Sequence, residues 1–170
     1  MDAVTSKRQK KMSQKQEKRV AEELGGRTVA GSGAGRTSGG GDVRKRYEIR
    51  AECKVTEKDF FVIKYTDLLK ILNQAIKGGL ERPVMQLRFA VPRSQTFEYA
   101  IEQGSRFPMP YKGQKSIRVK LSDLQARLLH NEAVGLEFEF GAISFFWKIR
   151  LWTTFLKELE QERADDQHHR

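Results

Sequence analysis

Apolar and polar positions along the chain fall into blocks whose period changes several times. Val20, Ala21 and Leu24 share one side of a helical period that starts near Ser13, and Gly25-Gly26 follows them. That spacing predicts a helix over 13–24, stopped by the glycine pair. Residues 31–41, GSGAGRTSGGG, predict a flexible loop. From Val43 to Val55 the period drops to two. Tyr47, Ile49, Ala51, Cys53 and Val55 fall on one side, and Glu48, Arg50, Glu52 and Lys54 on the other. This predicts one strand with an apolar face on a core. Residues 60–65 form a second short strand. Thr66 is placed to cap a helix reaching Ile76, with Leu68, Leu69, Ile71, Leu72, Ala75 and Ile76 as its buried stripe and Gly78-Gly79 as its stop. A third strand runs from Val84 to Val91 and closes at Pro92.

Beyond Pro92 the pattern predicts strands over 97–101 and 117–121. A helix capped by Ser122 should reach His130, and a hairpin of 136–140 and 143–151 should turn at Gly141-Ala142. A last helix covers Thr153 to Arg163. The segment SIRVKLSDLQARLL echoes FFVIKYTDLLKIL: strand, lysine, Asp-Leu, helix. The expected organisation is a tail over 1–12, polar and disordered, a core over 13–95, an extension over 96–164 packed on that core, and a disordered tail over 165–170.

Charge changes this picture. The chain of 170 residues carries a net +10, and residues 1–50 hold thirteen Lys or Arg against six Asp or Glu, a surplus of seven. So concentrated a positive stretch is the electrostatic footprint of a nucleic-acid partner. Arg27, Arg36, Arg44, Lys45 and Arg46 are the expected phosphate contacts. Cys53 is the one cysteine, which excludes a disulfide framework and a zinc knuckle and suits a reducing compartment such as the cytoplasm. The opening MDAVTSKRQKK has no apolar stretch behind its charges, so it does not read as a signal peptide. The most apolar stretch, 142–156, is broken by Lys148 and Arg150, so no membrane span is expected. The glycine loop lacks the strand before it and the helix after it that a dinucleotide site needs, and no phosphate-loop lysine follows, so no nucleotide cofactor is expected.

Candidate chemistry lies around GGGDVRKRYEIRAECK, residues 39–54. Glu52 and Lys54, two apart on a strand, project from the same face, while Cys53 points into the core as a small hydrophobe. A neighbouring bend would bring Asp42 beside Glu52. Two adjacent carboxylates repel, and a bound cation offsets that cost. Oxygen donors without histidine or thiolate favour Mg²⁺, or Mn²⁺, over zinc. A lysine beside such a centre suits metal-assisted hydrolysis of a phosphodiester. Glu48, Arg50, Glu52 and Lys54, as alternating charges, also suit a solvated strand face. Phe145, Phe146, Trp147 and Trp152 could stack on bases, but such a cluster more often forms core or a dimer interface.

Residues 13–90 bring several features together in order. A glutamate-bearing first helix precedes Gly-Gly, a Gly-Ser-Gly loop, Gly-Asp-Val and Glu-Cys-Lys, and a strand and a helix follow. This stretch resembles the core of the PD-(D/E)xK nuclease superfamily, and within it the Holliday junction resolvases of phage and archaeal type. The resemblance implies an α/β fold with an αβββαβ core, a mixed central sheet flanked by helices, and an α+β extension behind it. It implies a Mg²⁺-dependent endodeoxyribonuclease acting on four-way junctions as a homodimer. Asp42 and Glu52 resemble the metal-binding carboxylates, Cys53 the residue offering a backbone carbonyl to the metal, and Lys54 the catalytic lysine. Glu17 resembles the first-helix glutamate that reaches the metal through water, and Ser32 a loop serine near the scissile phosphate. Other nucleases of the superfamily, nicking or restriction-like, and a catalytically silent DNA-binding protein remain alternatives.

Overall fold

The computed structural model describes residues 3–29, 42–104 and 111–168, with side chains from residue 11 to residue 167 within those ranges. In chain order the elements are α1 (Ala3–Leu24), β1 (Arg27–Thr28), β2 (Val43–Lys45), β3 (Ile49–Thr56), β4 (Phe60–Lys64), α2 (Tyr65–Lys77) and β5 (Arg82–Phe89). Then follow β6 (Phe97–Gln103), β7 (Tyr111–Gly113), β8 (Ser116–Lys120), α3 (Leu121–Leu128), β9 (Val134–Phe140), β10 (Ile143–Leu151) and α4 (Trp152–His168). The expected α/β class, a mixed sheet flanked by helices, is what the chain forms. Eight strands make the main sheet in the order β1-β2-β3-β5-β6-β10-β9-β7. β3 and β5 lie parallel, joined across α2, and β7 lies parallel to β9; the other neighbours are antiparallel. The boundary expected near residue 95 falls in the turn between β5 and β6, and these two strands pair along their length, so the second half of the chain continues the same sheet.

Two apolar layers hold it together. On one face Val20, Ala21 and Leu24 of α1 and Trp152, Phe155 and Leu159 of α4 cover Ile49, Ala51, Cys53 and Val84. On the other, Leu68 and Ile71 of α2 and Leu124 of α3 join Met85, Leu87, Tyr99, Ile101, Trp147 and Ile149. Trp147 and Trp152 are therefore core, as their type favours. Phe145 lies instead in a more exposed aromatic group, its ring 5.2 Å from Tyr65.

The echo between the two strand–helix units has a physical form. β4 and β8 pair antiparallel as a separate two-stranded sheet, and Val62 lies opposite Arg118, its own equivalent in the echo. The two units are thus related by a local twofold. Each supplies a carbonyl to the first amide of the other's helix: Tyr65 N–H donates to Lys115 O at 3.0 Å, and Leu121 N–H to Asp59 O at 2.8 Å. This reciprocal backbone pairing replaces the side-chain caps expected of Thr66 and Ser122. The helices start two residues earlier than those caps would set, with Lys64 and Lys120 at the cap positions and no side-chain cap bond.

Three further expectations are corrected. The first helix begins at Ala3, not Ser13, so residues 3–12 are helical. The last helix runs on through His168, past the tail boundary at 165. The alternating run 43–55 is not one strand but a hairpin, β2 turning through Arg46–Glu48 into β3. Tyr47, placed by periodicity on the buried face, sits at that turn with φ 62° and is 66% exposed. The glycine pair behaves as expected. Gly25 adopts φ 64° after α1, and a Cβ at Gly26 would lie 2.7 Å from the Arg44 carbonyl oxygen, so the chain can pass close beneath β2 only without a side chain there.

Candidate active site

The charged face of β3 is not a solvated surface. Arg50 and Glu52 are buried, and Lys54 is partly so. Asp42 stands at the residue before β2, where its N–H donates to Ala51 O at 2.9 Å. Its Oδ2 accepts the Cys53 N–H at 2.7 Å. That bond anchors the carboxylate to β3 at the residue after Glu52. Asp42 is 7% exposed and Glu52 8%. Lys54 Nζ donates to Glu52 Oε1 at 2.9 Å.

The electrostatics follow from that packing. Burial first, and then the charge of Glu52, push the Asp42 carboxyl from 3.8 up to about 6; the Cys53 amide works against this, Glu17 adds to it and Lys54 subtracts. Burial alone would lower the Lys54 ammonium. The Glu52 carboxylate, by its charge and hydrogen bond, outweighs that, and Asp67 and Asp42 add to it, so Lys54 is held above the usual lysine value. Burial, with Asp42, Glu17 and Glu52 behind it, raises the Cys53 thiol well above its ordinary value, so it is an inert core thiol rather than a nucleophile.

Glu17 lies on the sheet-facing side of α1, in the same sector as Val20, Ala21 and Leu24, and is partly buried. It accepts a hydrogen bond from Ser13 Oγ at 3.1 Å. Its neighbour Gln16 is buried, and its side-chain amide donates to the Lys54 carbonyl at 3.0 Å and to the Gln86 side-chain oxygen. Gln16 thus ties α1 to β3 and β5 at the level of Lys54. Sequence reasoning missed Gln16, Gln86 and Asp67. Gln16 did leave a signal, a polar residue four positions before Val20 on the buried side of the helical period. Among the described residues, no three His, Cys, Asp or Glu side chains form a ready-made metal cage.

The expected phosphate contacts fare differently from one another. Arg44 is committed inside the fold, its Nε 2.6 Å from Glu81 Oε1 and its Nη2 donating to Gly78 O at 3.0 Å. Lys45 pairs with Glu48 at 2.6 Å. Arg46 lies over the Tyr47 ring at the hairpin turn, and Arg27 is exposed on β1. Ser32 and Arg36 lie outside the described residues, as does the whole glycine loop, 31–41. Comparison of the chain with protein-family models, curated proteins and solved structures found no match.

The raised Asp42 carboxyl has a consequence for stability. Its folded-state value lies above the unfolded one, so the contribution it makes is complete below about pH 4 and is lost as pH rises through about 6. The shift corresponds to a cost on the order of 3 kcal/mol for ionised Asp42 at neutral pH. Asp42→Asn keeps an oxygen to accept the Cys53 amide and removes the charge. It is expected to raise the Tm of the metal-free protein at pH 7.5 and to leave it nearly unchanged at pH 4. Equal shifts at both pH values, measured by thermal denaturation, would show that the fold does not raise this carboxyl.

Proposed function

We propose that the chain is a divalent-metal-dependent endonuclease that hydrolyses DNA phosphodiesters, with four-way junctions as substrate and a homodimer as the working form. One observation carries the reading. Two buried carboxylates, Asp42 and Glu52, are brought together from the two arms of a hairpin with the Lys54 ammonium beside them. Burying like charges is costly, and a site of oxygen donors without thiolate or imidazole fits a hard divalent cation. The order of elements supports the reading too. With β4 set aside in its own small sheet, α1, β1, β2, β3, α2 and β5 run in the αβββαβ order of the PD-(D/E)xK core.

Asp42 and Glu52 would hold Mg²⁺ or Mn²⁺, with the Cys53 carbonyl and Glu17 as further donors; when bound, the ion supplies charge neutralisation at the phosphate and a more acidic water. Lys54 stays protonated, because its neighbours hold it above the usual lysine value. Its role is therefore that of a fixed cation that orients an attacking water and offsets negative charge at phosphorus, not that of a base. Gln16 keeps the Lys54 backbone in place and presents the adjacent Glu17 to the carboxylate pair.

The direct test is a gel. A labelled four-way junction and a linear duplex of matched sequence are incubated with Mg²⁺ and with EDTA. Paired cuts in the junction with Mg²⁺ alone are expected, and no cleavage of either substrate with Mg²⁺ or Mn²⁺ would overturn the reading. DNA affinity should also fall steeply with salt. If roughly six to eight phosphates are neutralised, the loss from low to moderate salt is on the order of 10³-fold. A flat salt response in an anisotropy titration would remove the positive charge from the account of binding.

A further inference from the structure

A groove of about 740 Å³ opens beside α1, on the sheet face that also carries α4, and none of its lining residues belongs to the Asp42–Glu52–Lys54 group. Lys15, Lys18, Arg19 and Arg88 contribute its cations, Phe97 and Leu151 its apolar wall, and Thr153 a hydroxyl. From this lining we infer that the groove is a second DNA-binding site, holding the phosphate backbone of a strand that runs along α1, apart from the phosphates near the carboxylate pair.

The charge balance favours a polyanion. Four cations, Lys15, Lys18, Arg19 and Arg88, line the groove with two carboxylates, Glu22 and Glu98. Glu98 is already neutralised: an Arg19 guanidinium nitrogen bonds it directly, and Arg88 Nε lies 3.6 Å away. Lys11, Lys15 and Lys18 recur at spacings of four and three, so they share one face of α1, and all three are exposed. A row of ammonium groups along a helix suits a row of phosphates, and long flexible lysine stems track a backbone without reading its sequence. The first turn of α4 reaches the groove at Thr153 and contains no acidic residue, so the positive end of that helix adds to the field. Leu151 is 41% exposed, which leaves apolar surface for sugars or an unpaired base beside the lysines.

The groove also has a fixed relation to the candidate centre. α1 borders both: Glu17 is close enough to act on the Asp42 carboxyl, while Lys15 and Lys18 flank it in sequence and line the groove. A strand held by the lysines would therefore run along the same helix that presents Glu17 to the candidate centre. Such an arrangement suits a branched substrate, in which one arm lies at the centre and another leaves along the helix.

DNA as the ligand rests on the nuclease reading, and the experiment separates the two. Anisotropy titrations use a fluorescent four-way junction and a fluorescent linear duplex, over a range of salt, with wild type, Lys15→Glu/Lys18→Glu, and Lys70→Glu/Lys77→Glu on the exposed side of α2 as a matched charge control. The groove variant should lose roughly ten- to a hundredfold in affinity at low salt, and its log–log salt slope should fall by about two, one for each phosphate contact. The α2 control should stay within about twofold of wild type. Wild-type affinity and slope in the groove variant, or an equal loss in the control, overturns the groove. Failure of the wild type to cleave, with DNA binding still dependent on Lys15 and Lys18, removes the nuclease and leaves the groove standing.

Discussion

Glu52→Gln is expected to abolish metal-dependent cleavage while leaving DNA affinity equal to or slightly above that of wild type. The substitution keeps the shape of a side chain that is 8% exposed but removes its charge. A metal-stabilised transition state then loses several kcal/mol, which amounts to roughly 10³-fold or more in rate. It also leaves Lys54 without the carboxylate 2.9 Å from its ammonium. Affinity should survive because it comes from phosphate contacts elsewhere, and because one fewer negative charge faces the DNA. Asp42→Asn and Lys54→Ala should match this loss, since groups that act as one unit do not contribute additively. Glu17→Gln should cost less, because Glu17 is only partly buried and stands at the margin of the pair. Single-turnover cleavage of a labelled junction reads all four. Wild-type turnover by any of the first three would remove the site assignment.

The candidate site was legible in the sequence to an unequal degree, and the reason is physical. Period-two alternation placed Glu52 and Lys54 together on one face and Cys53 in the core, because side-chain direction in a strand depends only on local backbone geometry. The same alternation carried the strand straight through Tyr47, where the chain turns. Arg46-Tyr47-Glu48 contains no glycine or asparagine, the usual residues for a positive φ, so no local signal marks the turn. A remote group helps to hold it: Glu81 Oε1 accepts the Tyr47 N–H at 3.3 Å from across the end of α2. Burial of the charged face was likewise hidden. Whether Arg50 and Glu52 meet water depends on α2 and its partners, elements defined by tertiary packing. The early start of α1 belongs to the same class, since a polar, basic stretch has no apolar stripe by which periodicity could find it. The echo between β4–α2 and β8–α3 was visible as sequence, but only the structure turns it into a twofold pair with exchanged backbone caps.

Glu81→Ala is expected to be strongly destabilising. The Glu81 side chain is fully buried and accepts hydrogen bonds from two guanidinium groups: Arg44 Nε at 2.6 Å, and Arg50 Nε at 2.8 Å, with Arg50 itself only 2% exposed. Removing the carboxylate takes a counter-ion from the buried Arg50, and breaking a buried pair from one side costs about 3–5 kcal/mol. In a chain of this size that lowers Tm by on the order of ten degrees. Arg44 is 23% exposed and can turn partly toward water, so most of the penalty should sit at Arg50. Glu81→Ala/Arg50→Met should therefore recover much of the loss, because the buried charge goes with its partner, and the coupling is read from a double-mutant cycle by denaturant unfolding. A loss below about 1 kcal/mol for Glu81→Ala, or no recovery in the double variant, would mean the pair does not hold the hairpin. The double variant is expected to fold without the pair, but the pair matters for the site. Glu81 closes the turn end of the hairpin whose other end carries Asp42 and Glu52. Loosening that turn should widen the spread of the two carboxylates, so the stability-restored double variant is expected to regain Tm more fully than cleavage.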